Sequence, residues 1–298
     1  RPTSMISSTN FWMALAGVFF LLLAAFTRRR ELAAAKGWER FIALGCVFFA
    51  GSLAAFAPEH FRGPEFIQGM VPSWMPARTL WPAFIGCALL AAATSLALRI
   101  CVRLSATMLG LMFALFVCID YLPSALAHPG YRFGWIYALR DLSFSAGAWA
   151  LAGLHSREAS PRLSRVMVTF GRIVIGIAAV YYGAEHLLFP GFAPGVPSEM
   201  PTPHWVPSPK VWGYLTGVVF LASGIPLLLN RAPRRAAAWI GALMTVLTVV
   251  LYVPMSLKAV GGTADGLNEG INYVADTLLY GGTALALASA LGNPSKKG

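Results

Sequence analysis

Pro72-Ser-Trp-Met-Pro-Ala-Arg-Thr-Leu-Trp81 and Pro203-His-Trp-Val-Pro-Ser-Pro-Lys-Val-Trp212 share Pro, Trp, Pro, a basic residue and Trp at a constant offset of 131 residues. The same offset carries Gly86 onto Gly217, Gly110 onto Gly241, and Tyr121-Leu-Pro123 onto Tyr252-Val-Pro254. Slightly different shifts, set by loop lengths, bring Glu59-His60 onto Glu185-His186 and Asp141 with Gly147 onto Asp276 with Gly282. Self-similarity of this kind declares a repeat architecture and is read before any local motif.

The solvent for these repeats follows from composition. Of 298 residues, 57% are hydrophobic and only 12% charged, with a mean hydropathy of +0.64, which points to lipid. About nine apolar runs are long enough to cross the hydrocarbon core as helices, near 11–27, 41–58, 82–98, 106–124, 138–154, 167–188, 211–229, 236–254 and 271–291. Backbone groups in lipid need partners within their own segment, and no run alternates with the period of two that a barrel strand requires. The expected fold is an all-α membrane protein of about nine transmembrane helices. An N-terminal helix and basic loop (1–40) precede a four-helix unit (41–154), a linker (155–166) and a second four-helix unit (167–298). An even number of spans per unit leaves both copies in the same orientation, as parallel repeats.

The net charge of +11 is a topology signal. Arg28, Arg29, Arg30, Lys36, Arg40, Arg99, Arg103, Arg157, Arg162, Arg165, Arg231, Arg234, Arg235, Lys296 and Lys297 occupy every second connection, with Arg172 just inside a span. Arg1, Arg62, Arg78, Arg132, Arg140, Lys210 and Lys258 fall on the other side. The positive-inside rule then puts the N-terminus outside and the C-terminus in the cytoplasm of a bacterial inner membrane. No basic module interleaved with aromatics suggests nucleic acid. The first span is long and lacks a small-residue cleavage site, so it reads as a retained helix, although the true start of a chain beginning at Arg1 stays open. Cys46, Cys87, Cys101 and Cys118 form no C-x-x-C and read as buried apolar thiols.

Of the twelve acidic residues, only Glu31, Glu39 and Glu158 fall on the basic side. Ionisable groups within a span are costly and are functional candidates by default. Two clusters are expected at the outer ends of the units. Glu59, His60, Trp74, Asp120, Tyr121, Arg140 and Asp141 form the first. Glu185, His186, Trp205, Tyr252 and Asp276, with Tyr181, Tyr182 and Asn272 nearby, form the second. Asp276 reads as the freer acid because no arginine adjoins it in sequence, whereas Arg140 adjoins Asp141. His and Tyr can hydrogen-bond carbonyl oxygens, an acid can exchange protons, and apolar helices can hold an isoprenoid tail, so the redox group these residues suit is a quinone. The alternative for the same residues is a structural network tying helix ends together. A haem would need facing axial ligands and finds only His60 with His186, which disfavours it. No metal site is expected. The tryptophans also suit an interfacial belt.

An acid and His ending the first helix of a four-helix unit, a Pro/Trp-containing external loop and a Gly in the second helix resemble the DoxX-like family of bacterial membrane proteins. Glu185-His186 and Pro203 to Trp212 match best, and the resemblance covers about 41–154 and 167–291. It implies a tandem pair in a respiratory or other redox complex, binding a quinone or similar lipid near the outer face, with protein partners in the bilayer. It also implies an accessory subunit of an oxidoreductase more than a self-sufficient enzyme. A non-catalytic assembly subunit and a stand-alone lipid-binding or isomerase-like bundle are the alternatives.

Overall fold

The computed structural model describes residues 9–62 and 64–292; Arg1, Lys296 and Lys297, used above in the charge argument, lie outside the described residues. Helix α1 (Thr9–Thr27) leads through short α2 (Arg29–Ala34) and α3 (Trp38–Ala43) into α4 (Gly45–Arg62). The first unit continues through α5 (Pro64–Met70), α6 (Trp81–Leu98), α7 (Val102–Phe116), a π-helical turn (Val117–Tyr121), α8 (Leu122–Ala127) and α9 (Arg132–Leu154). The second unit is α10 (Pro161–Leu188), α11 (Pro209–Leu228), α12 (Pro233–Leu247), a second π-helical turn (Thr248–Tyr252), α13 (Val253–Ala259) and α14 (Ala264–Leu291). Among the described residues no strand forms beyond one isolated bridge, Phe192 with Pro201. The chain is an all-α membrane protein.

Among the described residues eight helices are long and apolar enough to cross a bilayer. The ninth long helix, α9, has 23 residues, about 35 Å at 1.5 Å per residue. It carries Arg132, Arg140 and Asp141, and burial among its neighbours lets it do so. Outward-facing side chains are apolar, as in Val18, Phe19, Leu22 and Phe26 of α1 and Val249 and Val250 of the second π turn. That exterior suits lipid. It also explains Cys87 and Cys118, which are exposed and not buried as expected. A thiol is apolar enough to face acyl chains. Cys101 is likewise exposed and Cys46 half-buried.

The helices close into a ring in the order α4, α6, α7, α9, α10, α11, α12, α14 and back to α4, with α9 and α14 packed together across the middle and α1 against α4 and α6. Each unit therefore gives its last helix to the first helix of the other. One end gathers the basic contacts: Glu31 with Arg99, Glu39 with Arg234, and Arg157 donating to the Ala290 carbonyl. The acidic end gathers Glu59, Glu185, Arg132 and Asn272. Helices thus alternate in direction, and the two units point the same way.

The duplication extends to backbone strain. Non-glycine residues with positive φ occur in pairs at the 131-residue offset: Ala77 and Ser208, Arg99 and Asn230, Cys101 and Ala232. Both π turns end two residues before a proline, Pro123 and Pro254. Proline has no N–H to continue the helical ladder and its ring crowds the carbonyl four residues back, so the backbone widens by one residue ahead of it.

The copies differ in how closely their first two helices approach. In the second unit a Cβ on Gly183 would lie 3.0 Å from the Gly217 carbonyl oxygen, and one on Gly217 would lie 2.9 Å from the Gly183 carbonyl oxygen. The first unit has Ala57 where Gly183 stands. Small residues let backbones meet in lipid, where dispersion is the main attraction between helices.

Candidate functional site at the acidic end

The polar residues of the acidic end do not form one cluster per unit. They pair across units, because α9 lies against α10 and α14 against α4. Arg140, on α9, donates from Nε to Asp141 Oδ1 at 2.9 Å and from Nη1 to Asp276 Oδ2 of α14 at 3.0 Å. Its guanidinium also lies 5.4 Å from the Tyr137 ring centre, and Nη2 is 3.5 Å from the Tyr121 hydroxyl. Asp276 is therefore not the arginine-free acid expected from sequence. Its arginine arrives from the other unit, and adjacency in sequence could not show this. Asp141 is buried, while the Arg140 and Asp276 side chains keep 19% and 23% exposure.

The two duplicated glutamates have different partners. Glu185 is buried at the end of α10 and pairs with Arg132 at the start of α9. The Arg132 guanidinium is walled by Phe133, Phe189 and Phe192 at 4.0–4.7 Å from ring centres. Glu59, equally buried, meets only amides among the described residues: Asn272 Nδ2 lies 3.5 and 3.4 Å from its two oxygens. Asn272 also donates to Asn268, Asn268 to Asn10, and Asn10 to the Ala264 carbonyl. This amide chain ties α1, α4 and α14 together. Asn272 Oδ1 is buried without a hydrogen-bond partner. Asp120, half-buried in the first π turn, has no hydrogen bond or ion pair among the described residues.

The duplicated histidines share one local bond, from Nδ1 to the carbonyl four residues back: Phe56 at 3.0 Å for His60 and Tyr182 at 2.7 Å for His186. His186 adds a second, accepting at Nε2 from the Gly195 N–H at 3.2 Å. Its ring is thus held as the neutral Nδ1–H tautomer and fastens the 189–208 loop. The Tyr252 hydroxyl donates to the Pro194 carbonyl at 2.6 Å and fastens the same loop. The Tyr182 hydroxyl donates to the Ile136 carbonyl at 3.0 Å, joining the units.

Neither loop tryptophan joins the acids. Trp74 is 69% exposed, and Trp205 is partly covered by the Lys258 ammonium at 4.1 Å. Both suit a headgroup boundary, where a ring is apolar on one side and wet on the other. Sequence reading missed Arg132 and Asn268 as partners. The available signal was their position in the first turns of the two final helices, level with the glutamates that end the two first helices.

Fold and site together describe an integral membrane bundle of two like-oriented units whose buried ionisable groups meet across the unit boundary. One family model matches, the Domain of unknown function (DUF8561), over residues 49–137, from within α4 to the first turns of α9. No curated protein and no solved structure matches the chain.

Proposed function

We propose that this protein is a multi-pass subunit of a respiratory or other redox assembly in a bacterial inner membrane, and that its acidic end, on the outer side, exchanges protons for a quinone-like lipid. One observation carries the reading. Once Glu185 is neutralised by Arg132, Arg140 bonds Asp141 and Asp276 together, while among the described residues Glu59 meets amides and Asp120 has no ion pair. A purely structural network in lipid would be expected to balance its charges, because each uncompensated charge there costs about 3 kcal/mol or more. A surplus of acids is what a proton-holding site needs.

The residues fit such a ligand. Arg140 and Tyr121 supply N–H and O–H donors for a carbonyl oxygen, and Asp276, bonded to Arg140, is 23% exposed. Glu59 can hold a proton beside the unsatisfied Asn272 oxygen. A quinone, when bound, would supply the redox step, with electrons coming from a partner chain. The resemblance of both units to DoxX-like proteins supports the same reading. The test is gentle extraction from native membrane, with identification of co-purifying chains and extractable lipids, followed by Asp276→Asn and Glu59→Gln. Quinone recovery and coupled electron flow should fall in both variants while the folded protein persists. Unchanged values in both would sink the proposal.

A second reading, a non-catalytic assembly subunit, draws on the full occupation of His186, Tyr182 and Tyr252 by backbone partners and on the apolar outer face of α1. It calls for tight co-purification with a larger complex and no enriched lipid.

A further inference from the structure

The basic end holds a cavity of about 440 Å³ between α2, α3, the starts of α4 and α7 and the ends of α9 and α14. Arg28, the residue after α1, lines it and is only 5% exposed, and its Nη1 is buried with no hydrogen-bond partner. A buried guanidinium nitrogen without an acceptor is costly unless something answers it. The Cys46 thiol lies beside it, but a thiol is a weak acceptor. Arg99 and Arg103 line the same space, and Glu31, paired to Arg99 at 3.3 Å, is the one carboxylate there. Three cations against one anion leave a formal charge of +2.

The α7 N-terminus opens onto the same cavity through Cys101, Val102 and Arg103, and no side chain caps it. Its first-turn N–H groups and the positive end of the helix dipole favour an anion.

The second unit shows that these features are not a by-product of topology. Arg234, the counterpart of Arg103, is held by both oxygens of Glu39 at 2.7 Å. Arg172, at the position of Cys46, donates to the Leu227 and Leu228 carbonyls at the end of α11. Asn230 and Ala232 replace Arg99 and Cys101. There Arg172 and Arg234 bond carbonyls and a carboxylate of the protein itself, whereas Arg28 of the extra N-terminal stretch has no carboxylate or carbonyl partner at Nη1 among the described residues, although Arg234 also keeps an unsatisfied Nε.

We propose that this cavity is a phosphate site, in which Arg28, Arg99, Arg103 and the α7 N-terminus bind the phosphate of an anionic lipid headgroup or of a free phosphorylated molecule. Guanidinium groups suit phosphate because they donate in a planar fork. The volume admits the phosphate and a small substituent, and an opening at the end of the bundle is accessible to headgroups and solutes alike.

The test uses the full chain in neutral detergent and in nanodiscs. Thermal unfolding is followed with added inorganic phosphate in detergent, and in phosphatidylcholine discs with and without phosphatidylglycerol. Saturable stabilisation by phosphate identifies a soluble ligand class, and stabilisation by phosphatidylglycerol alone identifies a lipid. Either should weaken more than about ten-fold in Arg28→Met, since hydrogen bonds to charged groups contribute about 1.5–3 kcal/mol. It should weaken less in Arg103→Gln and stay unchanged in Arg235→Gln. If Arg28→Met does not fold, the Arg99→Gln and Arg103→Gln double variant takes its place. Stabilisation by neither probe, or equal stabilisation of wild type and the cavity variants, overturns the proposal.

Discussion

Glu59 and Glu185 occupy the same place in two copies of one unit, yet the first is buried among amides and the second is clasped by a guanidinium inside an aromatic wall. The difference comes from the final helices. The first turn of α9 brings Arg132 and Phe133 to Glu185, whereas the first turns of α14 bring Asn268 and Asn272 to Glu59. Duplication kept the acid, its histidine and the helix geometry. The partner that decides what the acid can do changed. One copy became a charge-neutral anchor and the other kept an acid that can take up a proton without breaking an ion pair. At the basic end the roles are similarly divided, with Arg172 and Arg234 bonded to carbonyls and to Glu39 in the second unit and Arg28 Nη1 without a hydrogen-bond partner among the described residues in the first.

The largest effect is expected where the two units share a charge. Arg140→Leu removes the one cation that bonds Asp141 and Asp276 among the described residues, leaving two carboxylates unpaired across the α9–α14 contact. Breaking a buried pair by deleting one partner costs about 3–5 kcal/mol, partly relieved here by protonation and by the exposure of Asp276. Thermal unfolding in detergent should show a large loss. Asp276→Asn should recover part of that loss in the Arg140→Leu background, because it removes one of the stranded charges. A double variant no better than Arg140→Leu alone would mean that the two residues do not interact.

The next comparison sets one glutamate against the other. Glu185→Gln strands Arg132 in its aromatic wall, and the expected cost is about 1–3 kcal/mol for an unsatisfied buried group. Glu59→Gln removes a buried charge that has only amide partners and adds an amide that can bond Asn272 either way, so stability should be unchanged or slightly higher. Parallel unfolding curves check both. Equal losses would show that the two acids are electrically equivalent and would remove the distinction drawn above.

Much of the bundle was legible in the chain because lipid imposes a simple rule: long apolar runs separated by charged or Pro-rich connections. The helices extend beyond the apolar runs, α14 beginning at Ala264 and not near 271, because its first turns carry Asn268 and Asn272 toward Glu59 and are capped by the Thr263 hydroxyl on the Gly266 N–H at 3.1 Å. Tyr121-Leu-Pro123 and Tyr252-Val-Pro254 were visible as repeats, but not as π turns, since a proline within an apolar run can kink, end or widen a helix. The site was less legible. The repeat suggested that each acid belonged with its own unit, and only the ring order of helices brings Arg140 to Asp276 and Arg132 to Glu185. Pairing of this kind depends on which helix faces which, and periodicity within one helix does not contain that information.

The smallest effect distinguishes the basic ends. His155 follows α9 at the rim of the Arg28 cavity, and Ala290, inside the last turn of α14, stands at the corresponding place in the second unit. The imidazole is held below its ordinary range by partial desolvation first and then by Arg28 and Arg99, with Glu31 opposing them. A histidine depressed in the folded protein binds fewer protons than the same residue in the unfolded chain. Stability from this group is therefore fully present above about pH 6.5 and is lost as pH falls from there toward the folded value. Unfolding followed between neutral and mildly acidic pH should show a shallow decline that His155→Asn flattens, whereas changes at Ala290 leave it in place. Phosphate bound in the cavity would offset the two cations, bring the imidazole back toward its ordinary range and shrink the decline. An identical slope in wild type and His155→Asn would instead assign the pH response to the carboxylates of the opposite end.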